Sequence, residues 1–187
     1  MSDTDFSITK FRSNINDYGV SFANKYIVKI TMPNKLNANS RLKWVNDYTK
    51  DSLSIRCDSV DLPGKSLASK EVKFYGPFRK IPYAMTYEDL NINIILSSNL
   101  KEKTIFSEWM NLISDYQKAT CGWYQDYTTD LIIETYNNNN ECISKIKFIE
   151  SYPISIGQIS YSYSNADISK LPVSFSYLKW EEDNKFL

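Results

Sequence analysis

Leu90-Asn91-Ile92-Asn93-Ile94-Ile95-Leu96 decides the fold class. Leu90, Ile92, Ile94 and Leu96 alternate with Asn91, Asn93 and Ile95. Successive side chains on a strand point to opposite faces, so this run reads as a half-buried strand. Near the C-terminus Leu171, Val173, Phe175 and Tyr177 repeat the pattern against Ser174 and Ser176. Ile159, Tyr161 and Tyr163 do so against Ser160 and Ser162, with Asn165-Ala166-Asp167 turning the chain between the two runs. Further strands are expected at 25–32, stopped by Pro33, at 53–57, at 66–75 and at 79–85, where Pro82 implies an edge or a bulge. Residues 131–136 and 142–149 form another pair around the Asn137–Asn140 turn.

One helix follows the central strand. Asn99-Leu100-Lys101-Glu102 has capping-box spacing, Ile105, Trp109, Leu112, Ile113 and Tyr116 recur at helical spacing, and Gly122 is the expected stop. The chain is therefore mainly β, a sandwich or barrel of about eight strands with one flanking α-helix. It reads as a single domain over 1–187 with an N-terminal arm at 1–24 and a loop insertion at 34–51 that holds a helical turn. Residues 181–187 read as a short charged tail.

Composition limits the chemistry. The 187 residues include no histidine, so histidine-dependent triads and two-histidine metal sites are excluded. Twenty-two Lys+Arg balance 22 Asp+Glu, so no net field draws the chain onto nucleic acid or an anionic membrane. Cys57, Cys121 and Cys142 have neither zinc nor disulfide spacing and read as mostly buried thiols in a reducing cytoplasm. No apolar run is long enough to anchor the chain in a membrane, and no signal peptide is visible. Nucleotide-binding glycine motifs and nucleophile elbows are absent. Glu88-Asp89 and Glu181-Glu182-Asp183 are the densest carboxylates; as strand neighbours, Glu88 and Asp89 face opposite ways and do not converge on a substrate. The expectation is no catalytic residue, no metal and no cofactor. Trp44, Trp109, Trp123 and Trp180 with 14 tyrosines leave a carbohydrate-binding β-sandwich as a distant alternative.

The sum of charges hides one asymmetry. Lys65, Lys70, Lys73, Arg79 and Lys80 stand against Glu71 alone, and Phe74, Tyr75, Pro77 and Phe78 lie at the turn between them. Solvated lysines guarding a hairpin edge would account for the charge. Exposed aromatics at a tip are costly unless covered, which favours a docking hairpin with Lys70, Lys73, Phe74, Tyr75, Phe78, Arg79 and Lys80 as interface residues.

The ordered features resemble a known family. Leu62-Pro63-Gly64, the hairpin through Arg79-Lys80-Ile81, Tyr87-Glu88-Asp89-Leu90, Phe106-Ser107-Glu108-Trp109, Tyr152-Pro153, Ile156-Gly157-Gln158-Ile159, and Val173-Ser174-Phe175-Ser176-Tyr177 with Trp180-Glu181 together resemble the tail tube proteins of contractile-tailed bacteriophages over roughly 53–181. The inner tube of type VI secretion shares this plan. The resemblance implies β-sandwiches that form hexameric rings, each subunit adding strands to a closed inner barrel. Rings stack into a virion tube, assembled in the bacterial host cytoplasm, through which DNA passes unbound inside a contractile sheath. Self, sheath, baseplate and tail terminator are the implied partners. A tube initiator, terminator or baseplate protein of the same fold is the nearer alternative. On this reading the hairpin tip meets the next ring. Asp126, Asp130, Glu134 or Glu181 to Asp183 are its candidate acidic partners, and the polar faces of 90–96, 160–163 and 174–176 are candidates for the lumen.

Overall fold

The computed structural model describes residues 8–37, 52–73, 75–116, 119–164 and 167–184. Among them are eleven strands: β1 Tyr26–Ile30, β2 Cys57–Asp61, β3 Lys65–Val72, β4 Arg79–Tyr87, β5 Leu90–Ile95, β6 Ser114–Asp115, β7 Thr120–Cys121, β8 Thr129–Tyr136, β9 Cys142–Ile156, β10 Lys170–Ser176 and β11 Lys179–Asn184. The helices are α1 Ile8–Tyr18, α2 Asn34–Asn37, α3 Ser52–Ile55, α4 Lys101–Ile113 and α5 Tyr124–Tyr127. The chain is mainly β, as its alternating runs require.

The main sheet has seven strands in the order β1-β8-β9-β10-β5-β2, with β11 added to β9. All its pairings are antiparallel. β9 serves two groups of partners. Its first part pairs with β8 and β11, while Tyr152–Ile156 pairs with β10. The β8 register shifts by one residue between Leu131↔Phe148 and Thr129↔Ser151, and Glu150 has φ +56°. An extra residue of this kind bends the strand, which lets one strand turn the sheet around a core. The ends of the strand order come together on the far side, where the Tyr26 hydroxyl of β1 donates to the Asp58 carbonyl of β2 at 2.7 Å.

The core follows from the alternation. Leu90, Ile92 and Ile94 are buried beside Leu171, Val173 and Phe175, and face Val28, Ile30, Leu131, Ile133 and Phe148 in the same cluster. Helix α4 adds Ile105, Phe106 and Trp109, whose rings meet Phe175 at centroid distances of 6.0 Å. The Trp109 indole N–H donates to the Tyr127 carbonyl at 2.8 Å, satisfying the polar atom of a fully buried ring.

Several expectations need correction. Leu53–Cys57 is not a strand: residues 52–55 turn helically, Leu53 is buried and Ile55 points to solvent, and pairing with β5 starts only at Cys57. Asn99 does not cap α4. The N-cap position is Leu100 in the left-handed region, with no side-chain capping bond. Ser97 takes the capping part, its hydroxyl accepting from the Lys101 N–H at 3.4 Å. The Glu102 carboxylate accepts from the Ser97 N–H and hydroxyl at 2.9 and 2.8 Å.

The helix ends at Ile113, short of Gly122, and the chain enters the small β6–β7 hairpin with Tyr116 exposed. Gly122 is instead a close-approach site: a Cβ there would lie 2.4 Å from the Leu112 carbonyl oxygen. The 159–163 run is not a strand. Gly157 N–H already bonds the Pro172 carbonyl, β10 takes the adjacent edge, and Tyr161 and Tyr163 project outward. Residues 179–184 form β11 in place of a tail; Lys179, Glu181 and Asp183 occupy one face of the strand, and Glu182 shares the other with Trp180. The N-terminal arm contains α1, and Ile8, Phe11 and Ile15 lie exposed at helical spacing along it. Cys121 is exposed, and Cys57 and Cys142 are half-buried. Residues 38–51 with Trp44, Phe74 and the Asn165-Ala166 turn lie outside the described residues.

Candidate assembly interface

β3 and β4 form a separate two-stranded sheet, the long hairpin that the basic segment implies. Its base is anchored to the body. Lys65 Nζ sits 3.6 Å from the centre of the Trp180 ring, the Tyr87 and Tyr177 rings are 6.1 Å apart, and the Tyr177 hydroxyl donates to the Glu88 carbonyl at 2.6 Å. Burial, with the nearby acidic groups Asp89 and Glu88 and the neighbouring Tyr87, pushes the Tyr177 phenol up to about 12. Beyond the base the hairpin leaves the body. Leu67, Ile81, Tyr83 and Met85 are all exposed, although large apolar groups on a free-standing hairpin are unfavourable in water.

The register explains this surface. Leu67 lies opposite Met85, and Ala68 opposite Ala84, but Ser69 pairs with Pro82, which leaves Tyr83 as an extra residue. Pro82 has no N–H to donate, so the interrupted ladder falls where the sequence tolerates it. After the bulge Lys70 lies opposite Ile81, Glu71 opposite Lys80 and Val72 opposite Arg79. The tip turns through Gly76 at φ +83°, a conformation that glycine adopts without the strain a side chain brings. Tyr75 is fully exposed, Phe78 projects outward, and Lys73 Nζ lies 5.1 Å from the Phe78 ring centre. Lys80 is 3.8 Å from Glu71, which softens its charge and leaves Lys70, Lys73 and Arg79 as the basic part. Thus Lys70, Lys73, Tyr75, Phe78, Arg79 and Lys80 share one protrusion, while Phe74 is outside the described residues.

The acidic candidates sit elsewhere, and most are engaged. Asp126 pairs with Lys35, and Asp130 with Lys147 at 2.8 Å. Glu181 pairs with Lys179 at 2.6 Å, and Glu182 accepts from the Ser144 hydroxyl. Glu134 is 7% exposed and accepts from Lys29 at 2.7 Å and the Tyr136 hydroxyl at 2.8 Å, with Lys145 at 3.9 Å. Burial alone would raise the Glu134 carboxyl, but Lys29, Tyr136 and Lys145 outweigh it and hold it below the usual carboxylate range. The same hydrogen bond, followed by burial, pushes Tyr136 up to about 12.

A lowered folded value means that the native state holds the ionised form, so stability from Glu134 is present above the unfolded value of about 4.3 and is lost as pH falls through the folded one. Glu134→Gln is therefore expected to cost about 2 kcal/mol near pH 7 in denaturant melts. That difference should shrink steadily below about pH 4. A pH-independent difference would show that the carboxylate does not carry the effect.

Sequence reasoning missed the apolar stem at Leu67, Tyr83 and Met85. The signal is present: Ile81, Tyr83 and Met85 recur at every second position, which reads as one apolar face on this arm of the hairpin. No group of three or more potential metal ligands occurs among the described residues, and no described helix is long and apolar enough to cross a membrane.

Comparison with known proteins gives these features a context. The family model described as phage tail tube protein matches residues 21–183. Solved structures of similar fold include the tube-terminating cap of the anti-feeding prophage, with 12% identity, 88% of this chain and 91% of that chain covered, and a TM-score of 0.63. A sheath–tube complex of an extracellular contractile injection system in its extended state matches with 14% identity, 92% and 97% coverage, and a TM-score of 0.62. The anti-feeding prophage baseplate matches with 8% identity, 90% and 98% coverage, and a TM-score of 0.61. At such identities the likeness is one of fold. No curated protein matches the sequence.

Proposed function

Because the chain belongs to the phage tail tube protein family, we propose that it is the repeating subunit of an inner tail tube, forming hexameric rings that stack into a conduit for DNA within a contractile sheath. The observation that carries this reading is the β3–β4 hairpin. It projects Tyr75 and Phe78 with Lys73 and Arg79 at its tip and an apolar stem behind them, a surface suited to burial against another subunit. Heterologous contacts close into a ring, and a second contact along the axis extends the stack. The hairpin tip supplies that second contact by docking on an acidic surface of the next ring. The sheath, baseplate and tail terminator are the remaining partners, and the tube is assembled in the host cytoplasm before taking its place in the virion tail.

A conduit must let DNA pass without holding it. Phosphate binding grows with each lysine or arginine that releases counterions. The chain has zero formal net charge, and lysines on its main sheet are paired with carboxylates, as in Lys29–Glu134 and Lys147–Asp130. Such a surface repels the duplex little and grips it little.

The test is negative-stain microscopy of the purified protein. Rings and hollow tubes are expected; monomers alone would overturn the reading, and single rings that never stack would favour a cap, initiator or baseplate role. Arg79→Glu with Lys80→Glu is expected to leave rings intact and cut tube length several-fold, because the tip then meets an acidic surface with like charge. Wild-type tube length in that variant would sink the tip-docking assignment.

A further inference from the structure

Helix α1 is amphipathic and has no seat in its own chain. Ile8, Phe11 and Ile15 recur at helical spacing and stay in solvent, Ile8 at 74% and Phe11 at 58% exposure, and no α1 residue belongs to the core. Val20 and Phe22 continue the exposed apolar set toward β1. Arg12 follows Phe11 directly, which places it at the border of the stripe, while Lys10 lies toward the back of the helix. The segment shared with the family begins at residue 21, so α1 lies ahead of it.

The body has an open groove beside the point where this arm enters. It lies at the seam between β1 and β2, measures about 580 Å³, and has Tyr26, Val60 and Ile95 on its apolar walls. Both bounding strands are ends of the sheet order: among the described residues, β1 pairs only with β8 and β2 only with β5. Asp58 is the one charged residue in the described lining. Asp61 follows it on β2, so this edge stays acidic although Lys170 pairs with Asp58 at 2.7 Å.

We propose that α1 of one copy seats in the β1–β2 groove of a second copy, with Ile8, Phe11 and Ile15 against Tyr26, Val60 and Ile95, and Arg12 toward Asp58 and Asp61. The inference rests on the reading above that copies of this chain assemble, and it is separate from the hairpin contact.

The tether identifies the occupant as a second copy. Ala23 and Asn24 themselves line the groove, so only residues 19–22 separate it from the chain's own helix. So short a tether gives an effective concentration in the millimolar range where geometry allows, and close to none where it does not span. In the folded chain the groove is open and the stripe exposed, so the chain's own helix does not reach its seat. Gly19 fixes the exit of the helix, at φ +73° with its N–H on the Ile15 carbonyl at 2.8 Å. A helix laid along the seam also covers two strand edges that would otherwise recruit stray strands. Charge agrees, since a basic border meets an acidic edge. Helix and groove are different surfaces of one chain, so the exchange passes from copy to copy and can close a ring or continue along a stack.

Photocross-linking tests the seat. A benzoylphenylalanine replaces Phe11 in unlabelled protein, which is mixed with isotopically labelled wild-type protein before assembly and irradiated. Cross-links joining unlabelled to labelled chains at Tyr26, Val60 or Ile95 are expected by mass spectrometry. Cross-links confined to single chains, cross-links to any other surface, or rings without cross-links would each overturn the seat and leave the ring reading standing. Monomers with no cross-link between copies would overturn both. Should the probe itself block assembly, a second variant decides. Phe11→Asp with Ile15→Asp changes only exposed positions, so it is expected to leave the thermal melt of the single chain unchanged. It should lower the assembled fraction in sedimentation by at least tenfold, and wild-type assembly in it would refute the exchange.

Discussion

Trp109→Ala is expected to remove about 3–5 kcal/mol of unfolding free energy, the range for deleting a large buried aromatic side chain. At about 2–4 °C per kcal/mol for a chain of this size, that is a fall in Tm of roughly 6–20 °C. Trp109 is fully buried on α4, touches the Phe106 and Phe175 rings, and donates its indole N–H to the Tyr127 carbonyl. The substitution thus opens a cavity between the helix and β10 and strips a buried carbonyl of its donor. Trp109→Phe fills most of the volume but restores no hydrogen bond, so it should recover more than half of the loss. Calorimetry of the three chains checks this. A loss below about 1 kcal/mol for Trp109→Ala would mean that the helix does not plug the sheet as described.

Glu102→Ala should cost about 2–4 kcal/mol, chiefly by leaving the two Ser97 donors without an acceptor. Glu102 has no exposed surface, and its second carboxylate oxygen lies 3.5 Å from Arg56 Nε. Arg56 keeps about a third of its side-chain surface in water, so it is stranded less severely than a fully buried partner would be. Glu102→Gln retains an acceptor for Ser97 and removes only the charge, and should cost about 1 kcal/mol. Equal costs for the two substitutions would place the effect in the Arg56 ion pair and not in the Ser97 cap. Because Glu102 ties the loop before α4 to the segment entering β2, the alanine chain should also show faster amide exchange at Ser97 and at the first turn of α4.

Neither result was available from local pattern alone, though the elements involved were. Leu90–Leu96 and Leu171–Tyr177 announced themselves because period-two alternation with β-branched and aromatic residues has few other uses. Trp109 was placed on the buried stripe of its helix by spacing alone. The hairpin was visible through Pro82, Gly76-Pro77 and the lysine excess, and the bulge at Tyr83 is the interruption that Pro82 implied.

The misses share one cause. Asn99, Leu53–Cys57, the Tyr161–Tyr163 run and residues 181–184 each carry a local pattern that a partner overrides. Ser97 was already aligned with Glu102, β5 offered pairing only from Cys57, β10 left no edge for Tyr161, and β9 supplied one for the charged residues of β11. Charge disguised β11 most effectively, since Glu181 and Asp183 look like solvated tail until Lys147 and Lys145 are seen opposite them.

The sequence by itself determined that the chain is mainly β with a packed helix, that it lacks histidine chemistry, and that its basic residues cluster on one aromatic-tipped hairpin. These are properties of composition and short-range periodicity, carried by each segment on its own. The tertiary structure alone decided where β9 bends, which edges are left open, and that lysines and carboxylates far apart in the chain form a sign-alternating face. Strand order and register are set by long-range pairing, and a shift of one residue would turn every one of those charges to the other side.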